Sequence, residues 1–255
     1  MEEENNSICY KNNFLKEVIV KIDLVSPISS IINELDNEII KKSLESFPID
    51  EPKKGFTQEV SFSPDELKTQ RKEFTEWNFF GRSREKLLRI SPSSFFISVY
   101  DYLNFVDLRN DFLKIHDIFF KVHKDTQPSR LGLRYINQFD LEKEISNPFE
   151  WKKYINSDLL GLFNFSVEDS KTSRIFHNLE FVFDEQFNLR FNFGLNNPDF
   201  PSPIKKKIFT LDYDAYYKGL LDIESIPDSL DKFHNSIQSL FEKNITDKMR
   251  GLLNE

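Results

Sequence analysis

Four side chains that could bind an anion or a polar ligand lie within eight consecutive positions near the middle of the chain. They are Arg130, Arg134, Tyr135 and Asn137. Apolar and polar residues alternate across positions 129–138, which predicts a β-strand with Arg130 and Arg134 on one face. Guanidinium groups donate paired hydrogen bonds to phosphates and carboxylates, so this face could hold either, beside Tyr135 or Asn137.

The same two arginines also have a structural interpretation, and we favour it. If their face is buried between two halves of the protein, each guanidinium needs an acceptor, because an unpaired buried charge is too costly to keep. Carboxylates near the C-terminus are the first candidates, Glu242 and Asp247 above all. This interpretation predicts that Arg134→Ala destabilises the fold by about 3–5 kcal/mol.

A second candidate surface is the stretch from 68 to 86, which mixes basic and aromatic residues. Trp77, Arg82 and Arg84 are its main candidate contacts. Such a mixture can bind a single nucleic-acid strand through phosphate attraction and base stacking. Interspersed glutamates reduce the positive charge, and Trp, Phe and Arg are typical of interface centres, so a protein-binding patch is favoured.

Residues that could support catalysis or hold a metal occur without the partners they need. Asp212 and Asp214 are spaced to share a metal, but no third ligand follows at a useful spacing. None of the histidines forms a paired metal motif, and two of them are expected at core margins, with catalysis a lesser alternative. The histidines are His116, His123, His177 and His234, of which His116 and His234 are expected at the core margins. We predict no metal, no cofactor and no catalytic residue.

Composition indicates a folded protein of a reducing compartment. The chain has 255 residues, 39% of them apolar and 30% charged, with 27 Phe, 7 scattered Gly and a net charge of -8. This charge gives no global attraction to nucleic acid or anionic membranes, and scattered glycines argue against phosphate-binding loops. A single cysteine, Cys9, excludes an intramolecular disulfide. With an acidic N-terminus and no long apolar run, we expect a cytoplasmic protein.

The hydrophobic pattern predicts an α+β fold with mainly antiparallel sheets and packed helices. Strands are predicted at 14–24, 56–62, 73–80, 129–138 and 207–216, and hairpins at 86–102 and 176–195. Helices are predicted after Ser26-Pro27, from 108 to 122, after Asn147-Pro148 and from 230 to 245. The loop at 50–55 is predicted to be irregular. Core positions are predicted at Leu133, Phe181, Phe191 and Phe241.

The order of these elements is repeated, which favours an internal duplication of a helix-strands-helix unit. Tyr100-Asp101-Tyr102 precedes a helix with His116, and Tyr213-Asp214-Ala215-Tyr216 precedes one with His234. No linker separates the two parts. We therefore predict a single domain, 1–255, with two similar halves at 12–140 and 141–255.

Several segments resemble one family. They are positions 77–80, the hairpin around 90–92, the strand Gly-Leu-Arg-Tyr-Ile-Asn at 132–137, 211–214, and Phe-Glu-Lys-Asn-Ile-Thr-Asp at 241–247. The chain resembles a sporadically distributed prokaryotic family of proteins about 250 residues long, with a central strand and a terminal helix carrying these motifs. The resemblance implies no activity, and the family's patchy occurrence is similar to that of defence-associated genes.

The prediction of function rests mainly on the absence of catalytic, metal-binding and phosphate-binding motifs from the sequence. We expect a non-enzymatic interaction or sensor module that works with a partner protein, encoded by a neighbouring gene, in a prokaryotic anti-phage defence system. The alternative is a nucleic-acid or nucleotide binding protein that uses Arg130 and Arg134 or the basic-aromatic stretch ending at Lys86. No membrane partner is expected.

Overall fold

A computed structural model of the chain describes residues 10–12, 14–62, 67–165, 171–184 and 186–255. The strands within these residues are β1 (Leu15–Leu24), β2 (Ile49–Asp50), β3 (Lys53–Phe62), β4 (Leu67–Phe80), β5 (Lys86–Ser91), β6 (Ser94–Val99), β7 (Pro128–Asp140), β8 (Ile175–Val182), β9 (Phe187–Leu195) and β10 (Ile208–Lys218). The helices are α1 (Asn37–Ser46), α2 (Phe105–Val122), α3 (Ile226–Asn244) and α4 (Asp247–Asn254). The predicted α+β class is confirmed. Cys9 lies outside the described residues.

The strands form one antiparallel sheet whose order is symmetric about its centre. The order is β2-β4-β5-β6-β1-β7-β10-β9-β8, and β3 pairs with β4 outside this path. On either side of the β1–β7 pair, three strands follow one another and lead into a helix, α2 or α3. This is the order that an internal duplication predicts. The predicted boundary after residue 140 assigns β7 to the first half. The symmetric order of the sheet instead groups β7 with β8, β9 and β10, which follow it in the chain.

The helices pack on one face of the sheet, α2 on β6 and α3 on β7 and β10, with α1 against α2. The strand faces beneath them are apolar, and aromatic rings fill much of the space between layers. Phe95 stacks on Phe112 at a ring distance of 5.7 Å, and Phe187 stacks on Phe233 at 5.2 Å. The core therefore lies between the sheet and its helices, while the other sheet face carries mainly polar side chains.

Most elements with a strong hydrophobic period were predicted in the right place. The strands at β1, β3, β4, β7 and β10, both hairpins and helix α2 are confirmed, several with longer bounds. Of the predicted core residues, Leu133 and Phe191 are buried. Phe181 and Phe241 are partly buried and pack against the core.

The N-terminal helix begins later than predicted. A short 3₁₀ segment occupies Ser29–Ile32, and α1 begins only at Asn37. The Asp36 side chain accepts a hydrogen bond from the Glu38 N–H at 2.7 Å, so the helix starts where a capping carboxylate is available. The predicted loop at 50–55 was also wrong in part, because β2 ends and β3 begins within it.

The helix predicted after Asn147-Pro148 is absent, since this part of the described chain forms turns and a 3₁₀ segment at Ser157–Phe165. The apolar residues behind that prediction are buried all the same. Trp151 is fully buried, and its indole N–H donates to the Pro148 carbonyl at 2.6 Å. Burial in successive turns therefore produced a pattern of helical spacing without a helix.

The motif at 241–247 is not one continuous helix. Helix α3 ends at Asn244, Ile245 forms an isolated bridge with Ile155, and Thr246 starts α4. The Thr246 hydroxyl accepts a hydrogen bond from the Met249 N–H, as an N-cap does. Within the described residues, no helix combines the length and apolar character needed to cross a bilayer.

Candidate functional site

Strand β7 divides the four residues of the central candidate between two faces of the sheet. Arg130 and Arg134 project from the polar outer face, while Tyr135 and Asn137 are buried on the face covered by helices. The period of two in a strand makes this separation unavoidable. The four predicted contacts therefore do not form one site, and the two faces have to be considered separately.

On the outer face both arginines are paired with carboxylates of β10. Arg134 donates from Nε and Nη2 to the two oxygens of Asp212, at 2.8 and 2.7 Å. Arg130 donates to both oxygens of Asp214, at 3.2 and 3.1 Å. The prediction that an ion pair holds them is confirmed, but the predicted acceptors were wrong, because β10 lies directly beside β7.

The predicted acceptors belong to a separate cluster at the C-terminus. Glu242 accepts from Arg250 Nε at 2.9 Å, and Asp247 accepts from Arg250 Nη1 at 2.7 Å. Arg250 follows Thr246 in the first turns of α4, so these contacts are local. They stabilise the junction of α3 and α4 and leave the arginines of β7 to the adjacent strand.

Gly132 gives β7 room for the contact between Arg130 and Asp214. A β-carbon at this position would lie 2.7 Å from Arg130 Nη1. The guanidinium of Arg130 crosses this space on its way to Asp214 and lies 4.9 Å from the Tyr216 ring. Burial raises the pKa of the Asp214 carboxyl, and the guanidinium groups of Arg130 and Arg134 oppose that rise.

Replacing Arg134 by Ala is expected to cost about 1 kcal/mol of unfolding free energy, well below the value for a pair buried between halves. The Arg134 side chain is 42% exposed, although that of Asp212 is only 9% exposed. Asp212 also keeps a hydrogen bond from Asn192 at 3.1 Å. Urea denaturation of Arg134→Ala, Asp212→Asn and the double variant measures the coupling, and a single-variant loss above 3 kcal/mol would contradict this expectation.

Asp212 and Asp214 are thus engaged by arginines at the position where a shared metal was considered. Among the residues that the structure describes, no three His, Cys, Asp or Glu side chains are grouped so that they could hold a metal ion. The outer face is better described as an alternation of paired charges across neighbouring strands. Arg190 on β9, for example, pairs with Glu180 on β8 at 3.4 Å.

The basic-aromatic stretch also divides into inward and outward side chains. Trp77 packs against the core and donates its indole N–H to the Ile31 carbonyl at 3.0 Å. Arg84 lies 4.6 Å from the Phe80 ring and pairs with Glu51, while Arg82 is exposed in the turn after β4. The structure does not bring Trp77, Arg82 and Arg84 together on one open surface.

On the covered side of β7, a half-open cavity of about 90 Å³ lies between the sheet, α3 and both ends of the described chain. Its walls are mainly apolar, and half of its lining residues carry an aromatic ring. The cavity is lined by Tyr10, Phe14, Leu15, Tyr102, Leu103, Phe105, Tyr135, Asn137, His234, Ile237, Gln238, Phe241, Glu242 and Leu253. We call it the aromatic cavity.

A chain of hydrogen bonds runs along one wall of the aromatic cavity. The Tyr102 and Tyr135 hydroxyls lie 3.0 Å apart, and the Tyr135 hydroxyl lies 3.1 Å from His234 Nδ1. The His234 ring stacks on Phe105 with 4.0 Å between ring centres and 3° between planes. Since these rings come from β7, α2, α3 and the segment before α2, the wall joins both halves of the sheet.

His234 is held in its neutral form. Burial lowers the pKa of the imidazole to about 4, although the nearby Asp231 carboxylate acts in the opposite direction. Its Nε2 atom is buried and has no hydrogen-bond partner among the described residues. An imidazolium would need an acceptor at each nitrogen, so the surroundings favour the neutral ring.

The mouth of the aromatic cavity has two hydrogen bonds between the chain ends on one side and an exposed apolar residue at its rim. The Tyr10 hydroxyl donates to Glu242 at 2.7 Å, and the Asn12 N–H donates to the Leu253 carbonyl at 2.9 Å. On the other side Leu103 lines the cavity while 71% of its surface is exposed. Val106, which lies three positions further along the chain in the first turn of α2, is exposed as well.

The sequence did not predict the aromatic cavity as a site. Tyr135 and Asn137 were candidates, but as companions of the arginines, and His234 was placed only at a core margin. No local motif joins Tyr102, Phe105 and His234, because residues far apart in the sequence form the wall. The only sequence feature that pointed to these residues was the repeat in which a Tyr precedes a helix carrying a His in each half.

No protein-family model matches the chain, and no curated protein matches it significantly. The family resemblance of the central strand and the C-terminal motif therefore stays a prediction.

Proposed function

We propose that the protein is a non-enzymatic interaction module that binds a partner protein by accepting an apolar side chain of that partner in the aromatic cavity. One observation carries the proposal: exposed Leu103 stands at the rim of a half-open, mainly apolar cavity half of whose lining residues are aromatic. Deep aromatic pockets beside exposed apolar residues are typical centres of protein interfaces.

The size of the cavity favours a side chain over a larger ligand. Its volume is about 90 Å³, which is enough for several water molecules. Pockets for drug-sized ligands and cofactors span roughly 300–1,000 Å³. The end of one aliphatic or aromatic side chain fits the smaller space, and exposed Leu103 adds an apolar contact at the rim.

The chemistry of the wall supports binding rather than proton transfer. A general base works best when its pKa lies near the operating pH, whereas the pKa of His234 is lowered to about 4. Burial also raises the pKa of the Tyr10 hydroxyl, as does its hydrogen bond to Glu242. His234 and Tyr10 are therefore uncharged. The Glu242 carboxylate at the mouth is already held by Tyr10 and Arg250.

The geometry gives less support to nucleic-acid binding. Arg130 and Arg134 already hold bidentate contacts with Asp214 and Asp212, so a phosphate would have to displace a carboxylate from each. The resemblance to a sporadically distributed prokaryotic family makes the product of a neighbouring gene the first partner to test. A role in anti-phage defence is part of this proposal.

The test compares two leucines that are similarly exposed. Leu103→Asp places a charge at the cavity rim, and Leu220→Asp places one in the loop after β10, where Leu220 is 64% exposed. Each variant is titrated by calorimetry with the purified product of the neighbouring gene. We expect Leu103→Asp to weaken binding at least tenfold and Leu220→Asp to change it less than twofold.

Four outcomes would overturn the proposal. Three of them are equal binding by both variants, absence of binding to every neighbouring gene product, and a wild-type protein that binds only phenol or indole saturably. A fourth is micromolar binding of DNA or RNA at physiological salt that disappears when Arg71, Arg82 and Arg84 are replaced together. That result would establish the alternative function, because phosphate contacts are strongly salt-dependent.

A further inference from the structure

Strand β8 forms one edge of the sheet, and among the described residues no segment pairs with its outer side. At the opposite end of the sheet, β4 pairs with the two-residue β2 and with the ten-residue β3. Strand β8 itself has eight residues. An open edge of this length presents backbone donors and acceptors to any other strand.

The hydrogen-bond alternation shows which residues present these groups. The Phe183 N–H donates to the Phe187 carbonyl at 2.9 Å, directly after β8, so odd-numbered residues of the strand face β9. In an antiparallel pair the residues between them point their N–H and C=O groups the other way. Phe176, Asn178, Glu180 and Val182 therefore direct their backbone groups outward.

Apart from the charge of Glu180, the edge lacks the features that usually protect such strands from pairing. Its sequence, Ile-Phe-His-Asn-Leu-Glu-Phe-Val, contains no lysine or proline, and its register with β9 has no bulge. Apolar side chains are exposed along its length. Val182 is 72% exposed, and Phe176, Leu179 and Phe183 are exposed as well.

We infer that β8 pairs antiparallel with β8 of a second copy of this chain, with Leu179 on the twofold axis. In this register Phe176 lies opposite the second copy's Val182, and Asn178 lies opposite its Glu180. The outward backbone groups of these residues then form the hydrogen-bonded pairs, and Leu179 lies in a non-hydrogen-bonded pair with its own copy. The interface is closed, since each copy presents the same strand.

Self-complementarity is what favours a second copy over an unrelated strand. The chosen register places apolar residues opposite apolar residues and an amide opposite the only carboxylate of β8. Moving the register by two residues in one direction places Glu180 opposite itself, which like charges disfavour. A shift in the other direction places Phe176 opposite Glu180. Of these three registers, only the one centred on Leu179 gives each exposed side chain of β8 a compatible side chain opposite it.

The first test measures self-association of the full chain by sedimentation equilibrium across micromolar concentrations. We expect a dimer for the wild-type protein. Val182→Lys should raise the dimer dissociation constant at least tenfold, because it places two lysines in the apolar interface. Val25→Lys, in the loop after β1 where the side chain is also exposed, is the matched control and should leave the dimer unchanged.

The second test examines the register in a Cys9→Ser background. The Cα atoms of two copies of residue 179 would lie about 4.5 Å apart, within the range of a disulfide, so Leu179→Cys should form a covalent dimer on oxidation. Val182→Cys should not, since its two copies would lie about 20 Å apart along the strands. A monomer at all concentrations, or equal cross-linking of both variants, would overturn the inference, and association untouched by Val182→Lys would place the contact elsewhere.

Discussion

Replacing Phe191 by Ala is expected to lower the free energy of unfolding by about 3–5 kcal/mol. The ring lies buried on the covered face of β9, parallel to Tyr213 at 4.6 Å and 4.9 Å from Phe193. Truncation removes these contacts and leaves a cavity that a shift of β9 cannot fill, because the β9 backbone is hydrogen-bonded to β10 on one side and β8 on the other. Equilibrium denaturation in urea measures the loss.

A second phenylalanine provides the control for this experiment. Phe200, in the loop between β9 and β10, is half exposed and lies under the Arg174 guanidinium at 4.1 Å. Phe200→Ala should cost less than 1 kcal/mol, since little apolar surface is lost from the core. If Phe191→Ala lowers the unfolding free energy by less than 1 kcal/mol, the Phe191 side chain is not buried on the covered face of β9.

Acidification from pH 7 to pH 5 is expected to cost about 2 kcal/mol of stability through His234 alone. Its pKa is about 4 in the folded protein, against the ordinary histidine value of 6.5 in the unfolded chain. Between these values the unfolded chain binds a proton that the folded protein does not, so stability is full above pH 6.5 and falls toward pH 4. Burial beside Tyr135 and Phe105 is the cause, and Asp231 on the same helix limits it.

The measurement compares the unfolding free energy at both pH values in the wild-type protein and in His234→Phe. The phenyl ring can keep the stack on Phe105 but has no proton to bind. The raised pKa of Asp214 has the opposite effect, stability falling as pH rises, and it is present in both proteins, so it cancels. Equal pH dependence in the two proteins would show that His234 is accessible to protons in the fold.

The sequence by itself determined the elements whose side chains repeat with a clear period. Alternation predicted β7 and the β8–β9 hairpin, and helical spacing predicted α2, because burial of one face imposes these periods. It also placed Arg130 and Arg134 on the same face and predicted that ion pairs hold them. Where turns bury residues one after another, as around Trp151, the spacing imitated a helix and the prediction failed.

Only the tertiary structure decided which distant residues meet. The position of β10 beside β7 gave the arginines Asp212 and Asp214 as acceptors, and strand order has no signature within a single strand. The aromatic cavity likewise depends on α3 packing across β7, which brings His234 to Tyr135 from 99 positions away. Local patterns record whether a side chain is buried, and the arrangement of strands and helices decides what it is buried against.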